Sequence, residues 1–168
     1  WKANGSRCLG LALRAMTKEL TEVERPSDDP FAELVERLFA DLPAPSKQVL
    51  LLAAVLGQAL DNLNAYTIVD LNLGQAIEGL SDLTERRVLR DLGNGLEFIN
   101  EMIRAHVYLR MTPAVRAKLH SAIADAALNG RSLHTDLALA WHLMRAQRPE
   151  DATPFLLRGS QQALVSGA

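Results

Sequence analysis

A mainly helical protein carrying one small β-hairpin is predicted by three observations. Apolar residues recur at helical spacing over most of the 168 positions, an Asn-Gly turn separates two short apolar runs, and the last third uses one apolar spacing repeatedly. Together these describe a three-helix unit closed by a hairpin and followed by stacked antiparallel helices.

Leu9, Leu11, Leu13 and Met16, interrupted by Arg14, Lys18 and Glu19, mark a first amphipathic helix. Glu22 to Pro30 is polar and contains Pro26, Ser27, Asp28 and Asp29, the chemistry of a linker. With Asp29 as cap and Pro30 in the first turn, a second helix follows, its inward face formed by Phe31, Leu34, Val35, Leu38 and Phe39. Pro43 and Pro45 are expected to end it, and Ser46 to cap a third helix. The run from Val49 to Leu56 is apolar on nearly every side, which places that helix at the centre, and Gly57 stops it.

From Asn62 to Leu92 two short helices are expected with Asn72 to Gly74 between them. On the second, Ala76, Ile77, Leu80 and Leu83 face inward. Val88 to Leu92 and Leu96 to Ile99 read as strands, and Asn94-Gly95 supplies the positive φ angles of the reversal. Three helices followed by a hairpin make a winged helix. Thr112-Pro113 then opens a further helix with cap and first-turn proline in order.

The last third carries three stripes. Val115, Leu119, Ala122, Ile123 and Ala126 share their offsets with Leu133, Leu137, Ala140, Trp141 and Met144, and Ala152, Phe155, Leu156, Gly159 and Ala163 form the third. Short connections at Asn129-Gly130 and Gln147-Arg148-Pro149 make neighbouring helices antiparallel, and the small residues Ala138, Ala140, Gly159 and Ala163 allow close approach. Trp141 and Phe155 read as packing between repeats rather than as a ligand groove. The end at Ser166-Gly167-Ala168 suggests that a solenoid continues, as the start at Trp1 suggests an excised piece.

Composition narrows the function classes. With 48% apolar and 23% charged residues the chain has the balance of an ordinary globular protein, and a net charge of about −2 offers no general attraction to nucleic acid or an anionic membrane. Cys8 stands alone, no apolar run spans a bilayer and no signal-peptide pattern appears, so a reducing, cytoplasmic setting is expected. The four histidines, His106, His120, His134 and His142, lack metal-ligand spacing, and no nucleophile or acid-base pair stands out. No catalytic or metal site is expected. A winged helix invites a DNA-binding reading, yet between Asp70 and Arg104 seven acids face four arginines, and the would-be reading helix has Gln75 and Glu78 but no cation before Arg86. Nucleic-acid contact by this segment is therefore not expected.

Phe98, Asn100, Met102, Arg104 and Tyr108 follow the pattern Phe-x-His-x-Leu-x-Arg-x-x-x-Tyr with Asn100 in place of the histidine. In this the chain resembles the regulatory winged helix of signal-transduction ATPases with numerous domains (STAND ATPases), including LuxR- and MalT-like regulators and cyclase-linked relatives. Leu42-Pro43 through Gly57 resembles the opening of that domain, and Arg116 through Ala124 resembles its Arg-x-x-Leu-His-x-x-Ile-Ala helix. Leu139 to His142, Glu150 to Ala152 and Phe155 to Leu157 are similar to a first tetratricopeptide-like hairpin.

The resemblance implies the end of an ATPase lid at residues 1–25, a linking helix at 26–41, a winged helix at 42–111 and the start of a tetratricopeptide-like region at 112–168. It implies nucleotide-facing positions at Asn100, Arg104, Gly5 and Arg7, the last standing where the family has a proline beside adenine. No phosphate-binding loop occurs in this chain. ATP or ADP with magnesium would belong to an upstream ATPase domain of the parent protein, that domain would be the partner, and a protein or small-molecule inducer would act at the repeats. His120 and His142 fall where the family places histidine, which implies packing between winged helix and first repeat. The function implied is a non-catalytic regulatory arm, of a LuxR-like transcriptional regulator, coupling nucleotide state to a helical-repeat sensor. The alternative is a passive interaction scaffold whose nucleotide sensing has decayed. At Asn100 the competing reading is a residue that bonds nearby backbone, and for Arg104 it is a surface pair with Glu101 or Glu97.

Overall fold

The computed structural model describes residues 30–57, 68–69, 71–93, 95–130 and 135–166. Its elements are α1 (Pro30–Asp41), α2 (Ala44–Leu56), α3 (Leu73–Glu85), β1 (Leu89–Asp91), β2 (Leu96–Phe98), α4 (Glu101–Arg110), α5 (Pro113–Leu128), α6 (Asp136–Arg145) and α7 (Pro149–Ser166). The fold is thus mainly helical with one antiparallel two-stranded sheet. None of the helices described is long and apolar enough to cross a membrane. The expected first helix with Gly5, Arg7 and Cys8, the helix expected after Asn62, and Asn94, Leu133, His134, Gly167 and Ala168 lie outside the described residues.

Helix α2 is the central element, as its apolar run requires. Val49, Leu50, Leu52, Ala53, Ala54 and Val55 are all buried, and α3, α4 and α5 pack around it. Gly57 ends it in the left-handed region at φ 71°, donating its N–H to the Ala53 carbonyl at 3.1 Å. The start of α2 differs from expectation. Pro43 stands at the cap position and Pro45 in the first turn, so these prolines open α2 instead of closing α1, while Ser46 is buried inside the helix and caps nothing. A proline in the first turn forfeits only an N–H that has no intrahelical partner.

Around this axis α1 buries Val35 and Phe39 but leaves Leu34 exposed. Helix α3 starts with a capping box: Asn72 Oδ1 accepts from Gln75 N at 3.0 Å, and Gln75 Oε1 accepts from Asn72 N at 3.1 Å. Ala76 and Leu83 are buried as expected, whereas Ile77 is 51% exposed. Gly79 takes the inward place instead, because a Cβ there would lie 2.9 Å from Val49 Cγ2 and 3.1 Å from the Pro45 carbonyl oxygen. Arg87, at φ 57°, then turns the chain, with Val88 N bonded to Leu83 O and Arg87 N to Thr84 O.

The hairpin pairs Leu89 with Phe98, Arg90 with Glu97 and Asp91 with Leu96, so β1 is one residue shorter at both ends than the sequence suggests and β2 one residue shorter at its outer end. Ile99 N still donates to Val88 O at 3.1 Å beyond the regular ladder. In the turn Gly93 takes the left-handed region, at φ 80°, and Asp91 Oδ1 accepts from Gly93 N at 2.7 Å.

Two apolar clusters result. The larger gathers α1 to α5 and the hairpin; the smaller joins Ala124, Leu139, Ala140, Leu143 and Ala152 with Phe155 and Leu156 across α5, α6 and α7. Thr112 caps α5 with Pro113 next to it, as expected. The expected stripes hold in part: Ile123 on α5 and Ala152 and Gly159 on α7 are buried, with Leu119, Phe155 and Leu156 half-buried. On α5 the buried residues are His120, Ile123 and Ala124 while Val115 is exposed; on α6 they are Leu139, Ala140, His142 and Leu143 while Leu137 and Met144 are exposed. Helix α6 touches α5 on one side and α7 on the other, so its inward arc is turned from the stripe that a single contact face would select.

Candidate functional site

Helix α4 organises the site because its short sequence makes contacts in every direction. Asn100 caps it, Oδ1 accepting from Met102 N at 2.8 Å. This is the local backbone bond weighed for Asn100, and it uses only the acceptor of the side-chain amide, since Nδ2 is a donor. One turn on, Arg104 Nε donates to Glu101 Oε1 at 2.6 Å, the local pair the sequence allows, while Glu97 pairs across the hairpin with Arg90. Arg104 does more: its Nη1 donates to the Ala54 carbonyl at 3.0 Å. That oxygen belongs to the last turn of α2, where carbonyls lack intrahelical donors and the helix dipole favours a cation.

Toward α1, His106 stacks on Phe31 with ring centroids 6.0 Å apart, Arg110 lies over the Phe39 ring at 4.5 Å and also pairs with Glu36. Toward α5, Tyr108 Oη meets His120 Nε2 at 3.0 Å, and His120 Nδ1 meets His142 Nδ1 of α6 at 2.9 Å. Each contact between two ring nitrogens or ring and hydroxyl needs one proton, so the tautomer of His120 fixes the direction of the whole chain from Tyr108 to His142. His120 is completely buried. Burial, and then the charges of Arg145 and Arg116, push its pKa from 6.5 down to about 3, so the imidazole is neutral at pH 7. Trp141 meets both His120 and His142 edge-on at 4.8 Å.

These contacts enclose a cleft of about 550 Å³ between α4, α5 and α6, with Glu101, Tyr108, Arg116, His120, Trp141 and Arg145 on its walls. Arg116 lies 5.0 Å from the Tyr108 ring centre and Arg145 lies 5.5 Å from that of Trp141. The expected packing of His120 with His142 is present, but Trp141 is half-buried on a cleft wall as well as between helices. Phe155 is likewise half-buried, under the Arg158 guanidinium at 4.5 Å. Of the nucleotide-facing positions inferred from sequence, Asn100 and Arg104 lie on one helix, one turn apart. Among the described residues, no group of three or more His, Cys, Asp or Glu side chains is placed to hold a metal ion.

Truncating Arg104 separates its two bonds. Arg104→Gln is expected to destabilise the fold by about 1.5 kcal/mol, the cost of removing a charged donor from a partly buried carbonyl. Glu101→Gln, which removes only the exposed partner, is expected to change stability by less than about 0.5 kcal/mol. Urea unfolding of the two variants checks this; equal losses would mean that the ion pair and not the carbonyl bond matters.

No protein-family model, curated protein or solved structure matches this chain.

Proposed function

We propose that the chain is the regulatory arm of a STAND-type signalling ATPase, a winged helix joined to the first tetratricopeptide-like repeat. In this reading α4 couples the nucleotide state of an ATPase domain ahead of it in the parent protein to a sensor built on the helical repeats. The observation that supports it most is that one ten-residue helix contacts the hairpin, the central helix, α1 and, through Tyr108 and His120, the repeat. A shift of such a helix against its neighbours changes every one of these contacts together.

Asn100 supplies the nucleotide contact in this reading. Its Oδ1 secures the helix start, and its amide donor serves the terminal phosphate of ADP. Quantifying ADP and ATP released on denaturing the purified parent protein tests this beside an Asn100→Ala variant. Retained ADP that is lost in the variant is the expected result. Absence of nucleotide from both proteins, with none bound on titration, would leave the passive scaffold. That second reading draws on α7, where Leu157 and Leu164 are exposed and Val165 is 89% exposed, an apolar surface of the kind protein partners cover.

A further inference from the structure

The cleft between α4, α5 and α6 has the chemistry of a ligand site, and this holds whether or not a nucleotide is sensed at Asn100. Its volume of about 550 Å³ lies within the ordinary range for small-molecule pockets. Arg104 and Glu101 neutralise each other on one wall. Arg116 adds a positive charge to the lining, beside a neutral His120.

Among the described residues Arg116 meets no carboxylate; its guanidinium rests on the Tyr108 ring. An arginine so placed keeps its planar edge of donors for a ligand while the aromatic face holds it in position. Both arginine charges reach His120, whose proton affinity they depress. Pro113 and Ala117 lie on the lining beside the Tyr108 and Trp141 rings.

We infer that this cleft binds a small organic anion with a flat apolar body, its carboxylate or phosphate group held by Arg116 and its body lying against Tyr108 and Trp141. A bidentate guanidinium contact supplies the anchor, and removal of the apolar body from water adds to it. Because Tyr108 lies on α4, Arg116 on α5 and Trp141 on α6, the ligand touches all three helices.

Benzoate, benzamidine and inorganic phosphate serve as probes, with the two indole N–H signals of the intact chain followed by NMR. Trp141 lies in the cleft, and the signals are assigned by Trp141→Phe. Benzoate is expected to shift the Trp141 signal saturably. Benzamidine, nearly the same shape with the opposite charge, is expected to leave it in place, and phosphate to bind more weakly than benzoate. Arg116→Gln is expected to weaken benzoate by about tenfold, equal to about 1.4 kcal/mol, and 0.5 M salt to weaken it several-fold even if that variant does not fold. Equal response to benzamidine, no saturable response to benzoate, or unchanged affinity in folded Arg116→Gln would each overturn the proposal; phosphate binding as tightly as benzoate would overturn its apolar part.

Discussion

Acidification from pH 6.5 to pH 4 is expected to cost the fold about 3 kcal/mol through His120 alone, because its native pKa lies near 3 and its unfolded value near 6.5. The unfolded chain takes up a proton at His120 below pH 6.5 and the native chain does not. The stabilisation of the neutral, buried ring is therefore complete above pH 6.5. It falls by about 1.4 kcal/mol per pH unit as pH drops toward the native pKa, then levels off. Burial, then the charges of Arg145 on α6 and Arg116 on its own helix, disfavour the charged ring. The hydroxyl of Tyr108 and the ring of His142 satisfy its nitrogens without supplying a counter-charge.

Carboxylates in general also protonate toward the acid end of this range. The comparison must therefore be between the parent chain and His120→Gln. Glutamine retains hydrogen-bonding capacity but does not titrate. At pH 7 the variant is expected to be less stable, because an amide fills the ring's place poorly. Between pH 6.5 and 4 its stability should fall less steeply than that of the parent, by the slope belonging to His120. Urea unfolding at each pH gives both curves, and parallel curves would show that His120 does not keep its native proton affinity so low.

The elements with local signals were legible in the sequence. An apolar run with no polar side fixes α2 at the centre, Thr112-Pro113 marks the start of α5 from cap chemistry alone, and an Asn-Gly pair between apolar runs announces the hairpin. Proline was ambiguous because the same missing N–H that ends a helix is harmless at a cap or in a first turn, where Pro43 and Pro45 stand. Spacing placed the buried face of α7 and Ile123 of α5 but not the inward arc of α6, because α6 has neighbours on two sides. The same distinction runs through the site. The pair of Arg104 with Glu101 joins residues one turn apart and was visible, whereas its bond to Ala54 spans fifty residues of chain. His120 and His142 were visible as packing residues, but their pairing through Nδ1 and their place beside Trp141 and two arginines arise only when α5 and α6 meet.

Glycine is the other feature whose meaning depends on neighbours far along the chain, and Gly79→Ala is expected to destabilise the fold by about 2 kcal/mol. Alanine in a helix interior gains about 1 kcal/mol over glycine from backbone entropy and propensity, while overpacking a well-filled core costs up to about 3 kcal/mol. At Gly79 the second effect wins because nothing nearby can yield. The added Cβ lies 2.9 Å from Val49 Cγ2, 3.1 Å from Pro45 O and 3.2 Å from Pro45 C. Val49 is fully buried and β-branched, and the Pro45 backbone belongs to the first turn of the central helix. At Gly159 a Cβ comes closer, 2.6 Å from Leu137 Cγ, but that side chain is partly exposed and can turn toward water, while Leu137 N at 3.2 Å stays fixed. Gly159→Ala is accordingly expected to cost about 1 kcal/mol. Gly74 provides the opposite case: its Cβ would meet only Asn72 Oδ1 at 3.4 Å, ordinary contact, so Gly74→Ala is expected to stabilise by about 0.5 kcal/mol. Thermal and urea unfolding of the three variants measure the order directly. Gly79→Ala as stable as the parent would mean that α2 and α3 do not pack at the separation described.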